Sequence, residues 1–161
     1  MDGLTGHGVL GLGRPFASRP LALRGYIRYI SGNVDKGGEK IANGTQDKGI
    51  IYVALTDGEG EEFNGTRWSF VTKESKFFDK NGANVVAYGD KIWEASTEGE
   101  GMHEFIIPFE YKSMERIPNR IMLVAAASQF GDYFQGSTGS VMWLDDLELI
   151  YEESKLPENL R

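Results

Sequence analysis

The stretch GDYFQGSTGSVMWLDDLELIY, from Gly131 to Tyr151, constrains the fold most, because a Gly-rich turn there runs into residues that alternate in polarity. Val141, Trp143, Leu147, Leu149 and Tyr151 fall on one side of a period-two ribbon, and Asp146, Glu148 and Glu152 on the other. That is the pattern of a half-buried strand. Similar signals recur at intervals of roughly ten residues between Leu21 and Tyr151, the spacing of an antiparallel β-sandwich, and helical periodicity is nearly absent. The 21 glycines follow no fixed period, so they mark many turns between many short strands.

The individual strands follow from the same reasoning. From Leu21 to Tyr29, Leu21, Leu23, Gly25, Ile27 and Tyr29 alternate with Ala22, Arg24, Tyr26 and Arg28, so one side packs and the other carries cationic and aromatic groups. Ile50 to Thr56 is apolar on both faces and reads as a central strand closed by Asp57 and Gly58. Thr66 to Val71 and Val85 to Tyr88 are further strands. Phe105, Ile107, Phe109 and Tyr111 line another, in which Pro108 removes a ladder hydrogen bond and favours an edge or bulge. Arg120 to Ser128 reads as the most buried segment, its alanines admitting a bulky side chain from a facing sheet. Asn-Gly pairs at Asn43, Asn64 and Asn81 predict tight turns, which explains them better than the glycosylation pattern that two of them also match. Residues 1–151 read as a single domain, and 152–161 as a charged tail that is a linker or a frayed end.

Composition removes whole classes of function. A net charge of −7 with scattered Lys and Arg argues against nucleic acid, which needs clustered cations to displace counterions. The same charge repels anionic headgroups, so a neutral partner such as a glycan is easier to reconcile with it. The longest apolar run, Ile121 to Ala127, is far short of the roughly 20 residues of a membrane helix, so no membrane insertion is expected. The absence of cysteine excludes disulfides and thiol catalysis.

Catalytic and cofactor motifs fail on context. Gly6, Gly8 and Gly11 satisfy G-x-G-x-x-G, but no strand precedes them and Arg14-Pro15 stands where a helix should start. The loop Asp57 to Glu62 resembles the opening of a calcium loop, yet Glu62 replaces the required glycine, leaving a solvated turn. His7 and His103 are the only histidines, and His103 reads as a surface residue at a strand start. No cofactor is expected, except that Asp145 and Asp146 offer hard oxygens for a structural calcium.

A glycosidase needs two carboxyl groups about 5–10 Å apart across a cleft. Within one strand only Asp146 and Glu148, at i and i+2 and about 7 Å apart on one face, come near, with a solvated acidic face as the competing explanation, and two of Asp146, Glu148, Glu104 and Asp132 could also meet across strands. Sugar binding without chemistry asks instead for aromatic faces beside charged or amide groups on a preformed surface. Arg24, Tyr26 and Arg28 project together from one strand, and Tyr133 and Trp143 lie in or beside the loop before the last strand, so these five are the candidate carbohydrate-binding residues. Packing within the core or loops is the competing explanation for each aromatic residue, and exposed salt bridges for the arginines.

At these residues the chain resembles the putative carbohydrate-metabolism domain family, PCMD, of Bacteroidetes surface and periplasmic proteins. Four segments carry the resemblance: Gly13 to Tyr29, Asn84 to Trp93, Phe105 to Tyr111 and Ser128 to Tyr151. It implies an all-β, antiparallel jelly-roll-like β-sandwich akin to carbohydrate-binding modules. The implied role is a non-catalytic glycan-binding module of a glycan-utilisation protein in the periplasm or at the outer cell surface, adjacent to another domain of a longer parent chain. A glycoside-processing hydrolase and an adhesion module docking a neighbouring protein are the alternatives. Leu4 to Gly8 looks like the middle of a family member, which implies that the family's first strands are missing here. The family supplies no established catalytic residues.

Overall fold

The computed structural model describes residues 9–72 and 77–161, so Gly6, His7 and Gly8 of the motifs above lie outside the described residues. Among the described residues twelve strands follow in chain order: β1 (Gly11–Leu12), β2 (Arg14–Pro15), β3 (Ala22–Ile30), β4 (Gly49–Thr56), β5 (Glu61–Phe63), β6 (Thr66–Trp68), β7 (Phe70–Val71), β8 (Val85–Trp93), β9 (His103–Pro108), β10 (Glu110–Tyr111), β11 (Arg120–Ala126) and β12 (Val141–Ile150). The protein is an all-β, antiparallel, jelly-roll-like sandwich with no closed barrel. One sheet has the order β10-β8-β4-β11-β2 and another β12-β3-β9, with two small pairings, β1-β7 and β5-β6.

Contacts group the residues into two units. The first comprises the described parts of Met1–Ser18, Ala54–Tyr88 and Tyr111–Met122. Its core holds Leu55, Phe70, Val71, Val85, Val86 and Met122, with the buried Thr56 hydroxyl donating to Ser69 Oγ at 2.8 Å. The β5-β6 hairpin turns on Asn64 and Gly65, at φ 52° and 71°, the left-handed pair that a tight hairpin needs and that Asn-Gly supplies at little steric cost. The Asp57 loop is not merely solvated. Arg116 donates to both carboxylate oxygens of Asp57, and Asn119 and Arg120 donate to the Gly58 carbonyl, because a cationic segment far along the chain folds onto it.

The second unit comprises Arg19–Val53, Gly89–Glu110 and Leu123–Arg161. Leu23, Ile27, Tyr29, Phe105 and Ile107 of the three-stranded sheet are buried, as are Ile51 and Val53 of β4. The layers meet closely: a Cβ on Gly49 would stand 2.8 Å from Met142 Cε and 2.9 Å from the Tyr29 ring. The Tyr29 hydroxyl donates to the Ala127 carbonyl at 2.8 Å, so the alanine run does admit a bulky residue from the facing layer. β9 lies at a sheet edge, where Pro108 needs no ladder partner for its missing N–H.

Two expectations change. β4, not β11, is the most buried strand, for β4 is central in its sheet, whereas the outer neighbour of β11 is the two-residue β2. In β11 Met122 is buried but Leu123 is 41% exposed. The tail is not frayed either: it forms short 3-10 turns at Glu153–Lys155 and Glu158–Leu160, and Leu156 is buried with Ala22 and Ile150. Leu156 and Leu160 are the apolar residues that outweigh the charge of this segment.

Candidate functional site

The solvent face of the β12-β3-β9 sheet carries the candidate residues. In β3, Leu23, Ile27 and Tyr29 face the core, whereas Arg24 and Arg28 are half-buried and Tyr26 is 37% exposed. Cross-strand neighbours share a face, so the register sets out rows: Trp143 beside Arg28, Asp145 beside Tyr26 and then Glu104, Glu148 beside Arg24 and then Ile106. Arg24, Tyr26, Arg28 and Trp143 are thereby brought together.

Their electrostatics differ. Arg24 donates a hydrogen bond to Glu148 and lies 4.0 Å from Glu104, and Lys155 stands 3.9 Å from the other Glu148 oxygen. The hydrogen bond to Glu148, then its charge and that of Glu104, hold the Arg24 guanidinium above its ordinary pKa. Arg28 is placed otherwise. Its guanidinium carbon lies 5.1 Å from the centroid of the Trp143 ring, and its buried Nε has no hydrogen-bond partner. Trp143 is 43% exposed, so one ring face holds the cation and much of the residue remains open.

Trp143 reaches this face by a device that strict alternation misses. The sequence pattern places it with Leu147 and Leu149, but the register shifts between Asp145 and Glu148, and Asp146 takes φ 47°. This β-bulge inserts one residue and reverses the phase of the strand. Beyond it Leu147 lies against Gly25, its Cδ2 only 2.6 Å from where a Cβ there would stand, although it stays 44% exposed, and Leu149 pairs with buried Leu23. Asp145 Oδ1 accepts the Asp146 N–H at 2.9 Å. No third acidic or histidine side chain converges with these two aspartates among the described residues.

Tyr133 belongs to a separate constellation. It ends the 3-10 turn Gly131–Tyr133, with Lys40 Nζ 4.8 Å from its ring centroid and Phe130 edge-on at 6.5 Å. Two loops meet there. Fully buried Asp47 accepts Ser128 Oγ at 2.6 Å, and the Ser137 N–H and Ser140 Oγ at 2.8 Å, on one oxygen, while its other oxygen accepts the Lys48 N–H at 2.8 Å. Asp35 accepts the Thr138 N–H and hydroxyl, which holds its carboxyl below the usual range. In sequence Asp47 looks like any acid beside a turn, and nothing local marks it as the anchor of the segment leading into β12. His103 is exposed at the start of β9, as expected, its Nε2 2.6 Å from the Glu98 carbonyl.

No curated protein matches the chain. Two solved structures are similar to it, both described as putative glycoside hydrolases. The one from Bacteroides thetaiotaomicron is 26% identical with a TM-score of 0.65, over 89% of this chain and 41% of that one. The one from Bacteroides vulgatus is 24% identical with a TM-score of 0.61, over 87% of this chain and 55% of that one. The chain thus spans between two-fifths and somewhat over half of each. No described helix is long and apolar enough to cross a membrane. The profile of the family described as putative carbohydrate metabolism domain, PCMD, matches residues 5–150. With nearly the whole sandwich inside that match, the chain belongs to the putative carbohydrate metabolism domain family.

Proposed function

We propose that the chain is a non-catalytic glycan-binding module that takes a saccharide on the solvent face of the β12-β3-β9 sheet. The observation that carries this reading is the row of Trp143 and Arg28 beside Tyr26, an exposed indole and phenol with a guanidinium between strands of a rigid sheet. Pyranose rings offer apolar faces to such aromatics and hydroxyls to the flanking donors and acceptors. Glu104, Asp145 and Arg24 border the platform as hydroxyl partners. The family's carbohydrate description and the similar structure from Bacteroides thetaiotaomicron support the substrate class. That both similar proteins are longer supports a module working beside another domain of a parent protein, and its place in this reading is the periplasm or the outer cell surface.

Hydrolysis is the second reading, favoured by one observation: Glu104 and Glu148 both approach the same Arg24. Against it, the guanidinium occupies the space between the carboxylates that a glycosidic oxygen would need. A glycan array on the purified chain tests both readings, with and without calcium. Trp143→Ala and Tyr26→Ala are expected to lose glycan retention with nearly unchanged thermal unfolding. A fall in melting temperature without a ligand effect would return both residues to the framework. Release of reducing ends that Glu148→Gln abolishes would establish the hydrolase.

A further inference from the structure

Net charge points to a neutral ligand, but the cations of the sheet face are not equivalent. Arg24 is matched by Glu148 and Glu104, and Lys155 by Glu148 and Glu152. Among the described residues Arg28 has no acid and no hydrogen-bond acceptor, and its contact is with the Trp143 ring. A guanidinium has five N–H donors in a planar fork; the Nε–H of Arg28 is buried, so its terminal N–H groups are the donors open to an arriving acceptor. The group that satisfies two parallel N–H bonds from such a fork is a carboxylate, whereas single hydroxyls satisfy it one bond at a time. Trp143 holds the fork in place, so little freedom is lost when an acceptor arrives, and its ring is beside the position a sugar would take.

Resting on the glycan-binding reading above, we infer that the saccharide is acidic, a uronic-acid oligosaccharide whose carboxylate is held by the Arg28 guanidinium while its ring lies against Trp143. Arg28 sets specificity. The acids that border the platform pair with Arg24 or flank Tyr26, so among the described residues the Trp143 end of this face is where a negative group meets an uncompensated cation.

The test is calorimetric titration of the purified chain with oligosaccharides of galacturonate, mannuronate and glucuronate, each beside its carboxyl methyl ester. At least one acid is expected to bind at least about tenfold more tightly than its ester, as the loss of a charge-assisted bidentate pair demands. Arg28→Lys, its fold checked by thermal unfolding, should bring the affinity for that acid down to that of the ester, because an ammonium keeps the charge but not the fork. Acid and ester binding equally, or the ester alone binding, would overturn the inference and leave the glycan-binding reading standing. An Arg28→Lys variant that keeps full preference for the acid would also overturn it. If neither the acids, the esters nor neutral glycans are retained, the glycan-binding reading falls and takes the inference with it.

Discussion

Removing the Asp47 carboxylate should destabilise the second unit more than any change on the sheet face. Asp47 is fully buried and accepts four donors: two serine hydroxyls, from Ser128 and Ser140, and two backbone N–H groups, from Ser137 and Lys48. In Asp47→Ala the hydroxyls can rotate toward other acceptors, but the two N–H groups are fixed by the loop backbones. Hydrogen bonds to a charged group are worth about 1.5–3 kcal/mol each, so losing the two fixed ones costs about 3–6 kcal/mol. For a chain of this length that is a fall in Tm of about 6–24 °C. Urea unfolding followed by tryptophan fluorescence measures the cost as a shift in midpoint at constant slope. Asp47→Asn keeps the shape and one acceptor oxygen, and should lose about half as much. If Asp47→Ala is too unstable to purify, Asp47→Asn and Ser128→Ala carry the comparison. A cost below about 1 kcal/mol for every variant would refute the claim that this carboxylate ties the two loops together.

Two further outcomes follow from the fold, beside the glycan array and the uronate titrations above. Burial, and secondarily the charge of Asp132, push the Tyr52 phenol up to about 12. The unfolded phenol ionises near its ordinary value of about 10, so this stability is fully present below that pH and is lost as pH rises through the folded value. Burial also raises the Tyr29 phenol, so alkaline titration of phenolate absorbance should show a late-ionising component that Tyr52→Phe reduces by one phenol, leaving that of Tyr29. Gly65 sits at φ 71° with nothing within 4 Å of an added Cβ. Gly65→Ala should therefore cost about 1 kcal/mol from backbone conformation alone, read by thermal unfolding, and a neutral result would remove the left-handed turn from the account.

The layout of the candidate residues is legible in part. In β3 the period-two reading of Arg24, Tyr26 and Arg28 against Leu23, Ile27 and Tyr29 is the arrangement in the folded chain, because no bulge interrupts that strand. β12 defeats the same reasoning, since nothing in WLDDLEL announces that Asp146 will adopt a left-handed φ and reverse the phase. Nearness along the chain groups Tyr133 with Trp143, yet its ring is held by Lys40 and Phe130 in the loop cluster around Asp47. The tail misled by its charge, for the burial of Leu156 depends on apolar partners more than a hundred residues earlier as well as on Ile150.

Alternation and turn chemistry are local: period-two polarity, Asn-Gly pairs and Pro108 act over a few residues, so class, strand positions and an edge strand can be read without coordinates. Which acid meets which arginine is not local. Glu148 and Glu104 lie on different strands from Arg24, and register and a single bulge decide that they meet Arg24 while Arg28 meets an indole. That difference between two arginines four residues apart arises from cross-strand pairing, which depends on the whole sheet being assembled.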